Sequence, residues 1–371
     1  MRILHIITSL RSGGAERMVC DILPRLRGRG HSAELLLFDG TRTHLYDSLE
    51  REGIPVRAFG KGACQMWNPF HFFRLRKLLK REKYDIVHTH NTPCQLLTAF
   101  AAPKSGPTLV TTEHNTFNRR RNWKWFRVFD RMMYRRYSHV ICVGEQTESN
   151  LSERLGDGGD APEMSVVPNG IDLSRFAGAC PPADLRLPDE LGKKIVIMVS
   201  AFRAQKDQPS LIRAMMHLPE NYRLWLVGGW NGRASCEELA AELGLSGRIR
   251  FWGVREDVPE LLAASDVVVL SSHYEGMSLA SIEGMASGKP FIASDVEGLR
   301  ETVGGAGLLF PCGDHERLAG LIRQVCEDEE FAARVVERCM ERAGRYDIGK
   351  VADSYSEIYG KLLKQNNKSL I

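Results

Sequence analysis

The sequence predicts an α/β protein made of two doubly wound domains, each a parallel sheet with helices on its faces. Three observations carry this. Short apolar, β-branched runs alternate with stretches of helical period along the chain, the pattern of βαβ units. The pattern runs through the front half, breaks at a segment containing Pro181, Pro182 and Pro188, and then repeats. The length, 371 residues, is enough for two domains that each bury a core.

In the front half, residues 3–8, 33–38, 85–90, 108–114, 140–144 and 165–167 read as strands. The first feeds Ser12-Gly13-Gly14-Ala15-Glu16-Arg17, followed by Met18, Val19, Ile22 and Leu23 at helical spacing. Glycines at a strand–helix turn let a ligand approach the backbone and meet helix N–H groups, although a simple tight turn looks the same. No G-x-G-x-x-G follows the strand, so this is not a dinucleotide fingerprint. His88, His90, Glu113, His114 and Asn115 fall at or near the carboxyl ends of two strands, the edge where open α/β sheets bind ligands. A lone histidine there is most often structural, and neither pair has metal-ligand spacing.

In the back half, residues 194–200, 222–227, 249–252, 267–270, 290–293 and 308–310 read as strands. Arg203 and Lys206 follow the first of them and could neutralise a diphosphate, although exposed cations are ordinary in loops. Between 267–270 and 290–293, Leu279, Ile282, Met285 and Ala286 recur at helical spacing, so a helix starts near Met277. Glu275 then lies in the turn and Glu283 about two turns on. A carboxylate beside the free N–H groups of a helix start suits a ligand carrying hydroxyls and phosphate; the plain alternative is a surface loop before an ordinary helix. Residues from about 346 on, with Val351, Tyr355, Ile358, Tyr359, Leu362 and Leu363, form an amphipathic terminal helix.

Composition narrows the class. Hydrophobic content of 43% and charged content of 26% fit a soluble globular protein. The N-terminal apolar run is too short for a signal peptide, and no stretch approaches the roughly 20 residues of a membrane span. Nine cysteines without a Cys-x-x-Cys pair fit reduced thiols in a cytoplasm. Residues 1–172 hold 26 Lys/Arg against 18 Asp/Glu and the remainder 24 against 28, so the front half is expected to face something anionic. The segment that opens at Arg119 and closes at Tyr137 holds eight basic residues, one acidic residue and six aromatics. Together with a second basic run, Arg74-Leu75-Arg76-Lys77-Leu78-Leu79-Lys80-Arg81, it reads either as solvated helix faces or as a surface for anionic lipid. Nucleic acid is not expected, because no binding motif accompanies the charge.

The stretch Glu275-Gly276-Met277-Ser278-Leu279-Ala280-Ser281-Ile282-Glu283 resembles the E-x(7)-E signature of retaining glycosyltransferases of family 4, which have the GT-B fold. The resemblance extends from Gly13 to the terminal helix. It implies two Rossmann-like domains facing a central cleft, the last helix crossing back to the first domain. The expected boundaries are 1–172 for the acceptor-side domain, 173–192 for a linker, 193–345 for the nucleotide-sugar domain and 346–371 for the returning helix. The resemblance implies that Glu275 holds hydroxyls of the donor sugar, Glu283 those of the ribose, and the amides of Met277, Ser278 and Leu279 face the sugar and diphosphate. Many relatives have Gly or Pro where this chain has Ser278. Arg203 and Lys206 match the clamp on the donor phosphates, and Gly13 and Gly14 the loop over the diphosphate. His114 matches a histidine near the reactive end of the sugar, with His90 and Asn115 on the acceptor side. Phe251-Trp252-Gly253-Val254 matches the strand end that meets the base through the backbone near Val254. Leu226-Val227-Gly228-Gly229 resembles a turn in which acidic residues are frequent at the place of Gly229.

The implied activity is retaining transfer of a hexose from a nucleotide-diphosphate sugar, a UDP-sugar ahead of a GDP-sugar, to a glycan or lipid-linked acceptor in cell-surface polysaccharide or glycolipid assembly. His114, Glu275, Arg203 and Lys206 would serve catalysis, with no protein nucleophile, metal or other cofactor. The place of action would be the cytoplasm, peripherally on the inner membrane face through the Arg119-to-Tyr137 segment. A nucleotide-sugar epimerase or a phosphorylase of the same architecture competes within the enzyme class, although no pyridoxal-lysine motif is present. A catalytically silent sugar-nucleotide-binding partner protein competes outside it.

Overall fold

The computed structural model describes residues 1–11, 13–114, 126–156 and 161–368. Their strands form two sheets, every pairing in them parallel, in two units: Met1–Gly170 with Ile348–Ile371, and Ile171–Asp347.

In the first unit the strands are β1 (Arg2–Ser9), β2 (Ser32–Asp39), β3 (Val56–Gly60), β4 (Ile86–His90), β5 (Thr108–Glu113), β6 (His139–Cys142) and β7 (Glu163–Val166), ordered β3-β2-β1-β4-β5-β6-β7. The order reverses beside β1, which pairs Ile3 with Ala33 on one side and Ile86 on the other. β1, β4 and β5 are buried almost throughout, as strands covered on both faces must be. The edge strand β3 has no apolar run, since Arg57 and Ala58 are exposed, and its sequence gives no strand signal.

One face of this sheet is closed by helix Gly14–Gly28 and by the terminal helix Ile348–Lys368, which pack on each other. Ile348, Val351, Ala352, Tyr355, Tyr359 and Leu362 form the buried stripe of the terminal helix and share a core with Ile3, Ile7, Val19 and Ile22. The chain's end therefore belongs to the first unit, as the family resemblance implies. The other face carries His71–Arg81, Thr92–Ala101 and Phe126–Tyr134, packed through Leu75, Leu79, Ala99, Met133 and Tyr134.

The basic–aromatic segment divides. Residues 119–125, with Trp123 and Trp125, lie outside the described residues. In the rest, Arg127 Nε donates to Arg154 O (3.0 Å) and Arg131 Nε to Leu155 O (2.6 Å), at the end of helix Glu145–Leu155. Arg136 donates to Ala99 O (2.9 Å) and Ala102 O (2.8 Å), at the end of Thr92–Ala101. These guanidiniums satisfy helix-end carbonyls and the negative end of each dipole, and the helix that carries Arg127 and Arg131 also exposes Val128 and Met132.

In the second unit the strands are β8 (Lys194–Val199), β9 (Tyr222–Val227), β10 (Ile249–Gly253), β11 (Val267–Leu270), β12 (Phe291–Ser294) and β13 (Leu308–Phe310), ordered β10-β9-β8-β11-β12-β13. Residues 173–192, expected as a linker, are built into this unit. Phe176 and Leu185 join its core, and the buried Glu190 carboxylate accepts from Trp225 Nε1 at 2.6 Å. Prolines misled here: they shape a packed strap.

Replacing Glu190 with Ala leaves the Trp225 N–H buried without its acceptor, and is expected to lower stability by about 1–3 kcal/mol. A urea midpoint that does not move would mean that 173–192 is only a tether.

Candidate active site

In the second unit the order reverses between β8 and β11, so the loops leaving these strands open at the carboxyl edge where ligands bind. The two loops are zipped together. Lys206 forms an antiparallel bridge with Ser272, Asp207 N donates to Ser271 O (3.1 Å), and His273 N donates to Gln205 O (2.9 Å). The zip brings Lys206 Nζ onto Glu275 Oε1. The same oxygen accepts from Ser272 Oγ (2.8 Å), and Oε2 accepts from Gln205 Nε2 (3.3 Å). The Lys206 and Glu275 side chains are only 14% and 6% exposed. The family resemblance assigns these residues to separate parts of a ligand; in the structure they are each other's partner. A phosphate can compete for the lysine, and a sugar hydroxyl can donate to the carboxylate.

Arg203, also after β8, is exposed and has no carboxylate partner among the described residues. Its guanidinium lies 4.0 Å from the centre of the Trp230 ring. Trp230 is 59% exposed and has φ 109°, unusual for an aromatic residue. The turn before it needs glycine: at Gly228, φ is 148° and a Cβ would stand 2.0 Å from Ser200 O. Val254, 62% exposed, stands just past β10, and a Cβ on Gly229 would meet its Cγ2 at 2.8 Å. Arg203, Trp230 and Val254 thus edge the loops after β8, β9 and β10. Sequence reasoning missed Trp230, whose only signal was a large aromatic directly after a strand-end Gly-Gly.

Ser278 is the extended N-cap of helix Leu279–Ala286, so the helix starts two residues later than the expected Met277. Its first amides have no acceptor within the helix. Glu283 is half-buried in the middle of this helix, whose Ile282 and Met285 are fully buried. Gly298, also missed, abuts the Glu275 turn: a Cβ there would lie 2.5 Å from the carbonyl oxygens of both Glu275 and Gly276.

In the first unit, Gly13 caps helix Gly14–Gly28, and both glycines are exposed. Asn115 lies outside the described residues. His90 ends β4 and His114 follows β5, and both belong to a histidine ladder. His5 Nδ1 bonds His90 Nε2 (3.0 Å), and His90 Nδ1 bonds His114 Nε2 (3.0 Å). Beside it, His88 bonds Tyr359 OH (2.5 Å) and Thr112 Oγ1 (2.7 Å), and Tyr359 OH reaches His5 Nε2 (3.4 Å). Each nitrogen–nitrogen bond needs one N–H and one lone pair, which three neutral rings supply when both bonds run in the same direction. Burial provides for this, pushing His5 down to about 3 and His114 to about 4, and His88 and His90 well below the ordinary value. His114 Nδ1, at the end, is buried and has no hydrogen-bond partner among the described residues. Donor atoms of His5, His88 and His90 lie within 4.8 Å of one another, a spacing a metal could use, but all six nitrogens already serve the ladder.

These histidines make stability depend on pH. Their folded-state pKa values are depressed, so their contribution is complete above the unfolded value near 6.5 and is lost as pH falls towards about 4 and 3. Each should steepen the fall by about 1.4 kcal/mol per pH unit. Urea unfolding at neutral and mildly acid pH should show the fall, and His114→Gln should remove one histidine's share. An identical pH profile in that variant would contradict the neutral ladder.

Comparison with known proteins gives the family. The profile described as Glycosyltransferase Family 4 matches residues 12–175, and that described as Glycosyl transferases group 1 matches 186–342. UDP-Gal:alpha-D-GlcNAc-diphosphoundecaprenol alpha-1,3-galactosyltransferase of Escherichia coli is 30% identical over 306 residues, 77% of each chain. Phosphatidyl-myo-inositol mannosyltransferase of Mycolicibacterium smegmatis is 26% identical, over 94% of this chain and 90% of that one. The crystal structure of Anabaena HepE with UDP and glucose superposes with a TM-score of 0.81 at 25% identity, covering 96% of this chain and 99% of that one. Two parallel-sheet units, matched in turn by the two profiles and by a relative of that identity and coverage, establish that the chain belongs to glycosyltransferase family 4, the group 1 glycosyltransferases of GT-B fold.

Proposed function

We propose that this glycosyltransferase moves a hexose, with retention of anomeric configuration, from a nucleotide-diphosphate sugar to a glycan or lipid-linked acceptor. The observation that carries this is the Lys206–Glu275 pair together with Arg203, which has no carboxylate partner among the described residues: one acceptor for sugar hydroxyls and two cations for a diphosphate. On donor binding, Lys206 turns to the phosphate and Glu275 to the sugar hydroxyls. As the bond from the anomeric carbon to the phosphate oxygen breaks, Arg203 and Lys206 stabilise the charge on the leaving diphosphate. The acceptor hydroxyl attacks from the same face, and its proton passes to the leaving phosphate oxygen. No protein nucleophile and no metal take part. Glu283 holds the ribose, and the backbone near Val254 meets the base. A neutral His114 would hydrogen-bond a sugar hydroxyl rather than act as an acid.

A UDP-sugar is the first candidate, a GDP-sugar the second. HepE was crystallised with UDP and glucose, and the Escherichia coli relative is named for UDP-Gal. That relative's diphosphoundecaprenol acceptor and the phosphatidyl-myo-inositol of the mycobacterial one support a lipid-linked acceptor, reached at the cytoplasmic membrane face. No described helix is long and apolar enough to cross a membrane. The docking surface we propose in the first unit is the second basic run, Arg74 to Arg81, with the aromatics before it. Trp67, Phe70 and Phe73 are 63%, 68% and 67% exposed. Phe70 and Phe73 lead into exposed Lys77, Lys80 and Arg81 along helix His71–Arg81, away from buried His71, Leu75 and Leu79. Aromatics followed by cations suit the interface of an anionic bilayer.

Glu275→Ala should reduce turnover of the donor by about a hundredfold or more while the fold persists, and the product of the wild type should keep the donor's anomeric configuration by NMR. Unchanged turnover would remove Glu275 from the site. Replacing Trp67, Phe70 and Phe73 together by Ser should weaken sedimentation with phosphatidylglycerol vesicles. If the wild type stays in the supernatant at moderate salt, this surface does not bind membranes.

A further inference from the structure

One residue beyond Lys206, the zipped loops meet the turn that follows β13. There Asp207, His273 and Cys312 bring a carboxylate oxygen, an imidazole nitrogen and a thiol sulfur within 4.8 Å of one another. Cys312 Sγ lies 3.5 Å from His273 Nδ1, and His273 Nε2 lies 3.8 Å from Asp207 Oδ1. Asp207 is only 3% exposed. Its Oδ1 caps the following helix by accepting from Ser210 N (3.2 Å), but its Oδ2 has no hydrogen-bond partner among the described residues. A buried carboxylate oxygen left unsatisfied calls for an ion or a donor from outside the chain. His273 and Cys312 are exposed, so an ion can enter from solvent.

From this geometry we infer a binding site for a divalent metal ion of the zinc class, ligated by Asp207, His273 and Cys312, with solvent in the remaining position. A mixed sulfur, nitrogen and oxygen set selects such an ion; magnesium and calcium take oxygen ligands. An imidazole gives one nitrogen to one ion. Cys312 Sγ and His273 Nδ1, 3.5 Å apart, have about the 3.6 Å separation of a thiolate at about 2.3 Å and an imidazole at about 2.1 Å from one tetrahedral ion. The Asp207 carboxylate lies within 4.8 Å to complete the set. The ion takes no part in sugar transfer. It staples the turn after β13 to both loops of the zip, the loops that carry Lys206 and Glu275 to each other. The three ligands are far apart in sequence, at 207, 273 and 312, so no spacing motif announces them.

The test uses the full chain, reduced and stripped with a chelator, then titrated with cobalt(II). Wild type should develop a cobalt–thiolate charge-transfer band that saturates at one ion per chain. Cys312→Ser should abolish the band, His273→Gln should weaken binding at least tenfold, and Cys64→Ser and Cys180→Ser, at other exposed thiols, should leave it intact. Zinc should raise the melting temperature of wild type and not of Cys312→Ser. No band in wild type, a band that survives Cys312→Ser, or a wild-type melting temperature indifferent to zinc would overturn the site.

Discussion

Lys206 Nζ meets the Glu275 carboxylate where the two side chains are 14% and 6% exposed. Taking both ions out of water costs several kcal/mol each, and attraction offsets it only if the remaining lone pairs are also satisfied. Ser272 and Gln205 do this, which ties the pair to the zip between the loops after β8 and β11. Local sequence is subordinate to this arrangement. Gly228 lets its turn approach the Ser200 carbonyl, and Gly298 lets a helix abut the Glu275 turn. The charges that would hold a diphosphate and a sugar hold each other. A donor therefore exchanges one satisfied state for another and does not meet a bare cation.

The first unit solves the same problem without charge. Its central strands are buried on both faces, yet β1 and β4 place His5, His88 and His90 inside. The rings satisfy one another and Tyr359 of the terminal helix, and Tyr355 of that helix joins through Thr112, so the helix completes a polar network as well as an apolar core. Burial keeps these rings neutral, which leaves His114 suited to hydrogen bonding.

Sequence patterns reported the parallel strands and the helices between them well, because strands buried on both faces must be continuously apolar. They failed where local composition and tertiary role part. β3 is an edge strand with a half-polar run, and residues 173–192 look like a linker because proline is read as a breaker, whereas Phe176, Leu185 and Glu190 are packed. Glu275 and Lys206 were visible individually, but their pairing was not, since it depends on a register between loops 69 residues apart. Trp230 and Gly298 matter through a positive φ and a backbone contact that no periodicity encodes. Arg127, Arg131 and Arg136 looked like a charged stripe, and they serve helix ends that sequence alone does not bring near them.

The central claim is that the donor diphosphate and Glu275 compete for Lys206. Calorimetric titration of UDP, without sugar, into wild type, Glu275→Gln and Lys206→Met tests it most directly. If the claim holds, Glu275→Gln binds UDP at least as tightly as wild type, because the lysine is released, and Lys206→Met binds it at least tenfold more weakly. Loss of UDP binding in Glu275→Gln, or wild-type binding in Lys206→Met, would contradict it.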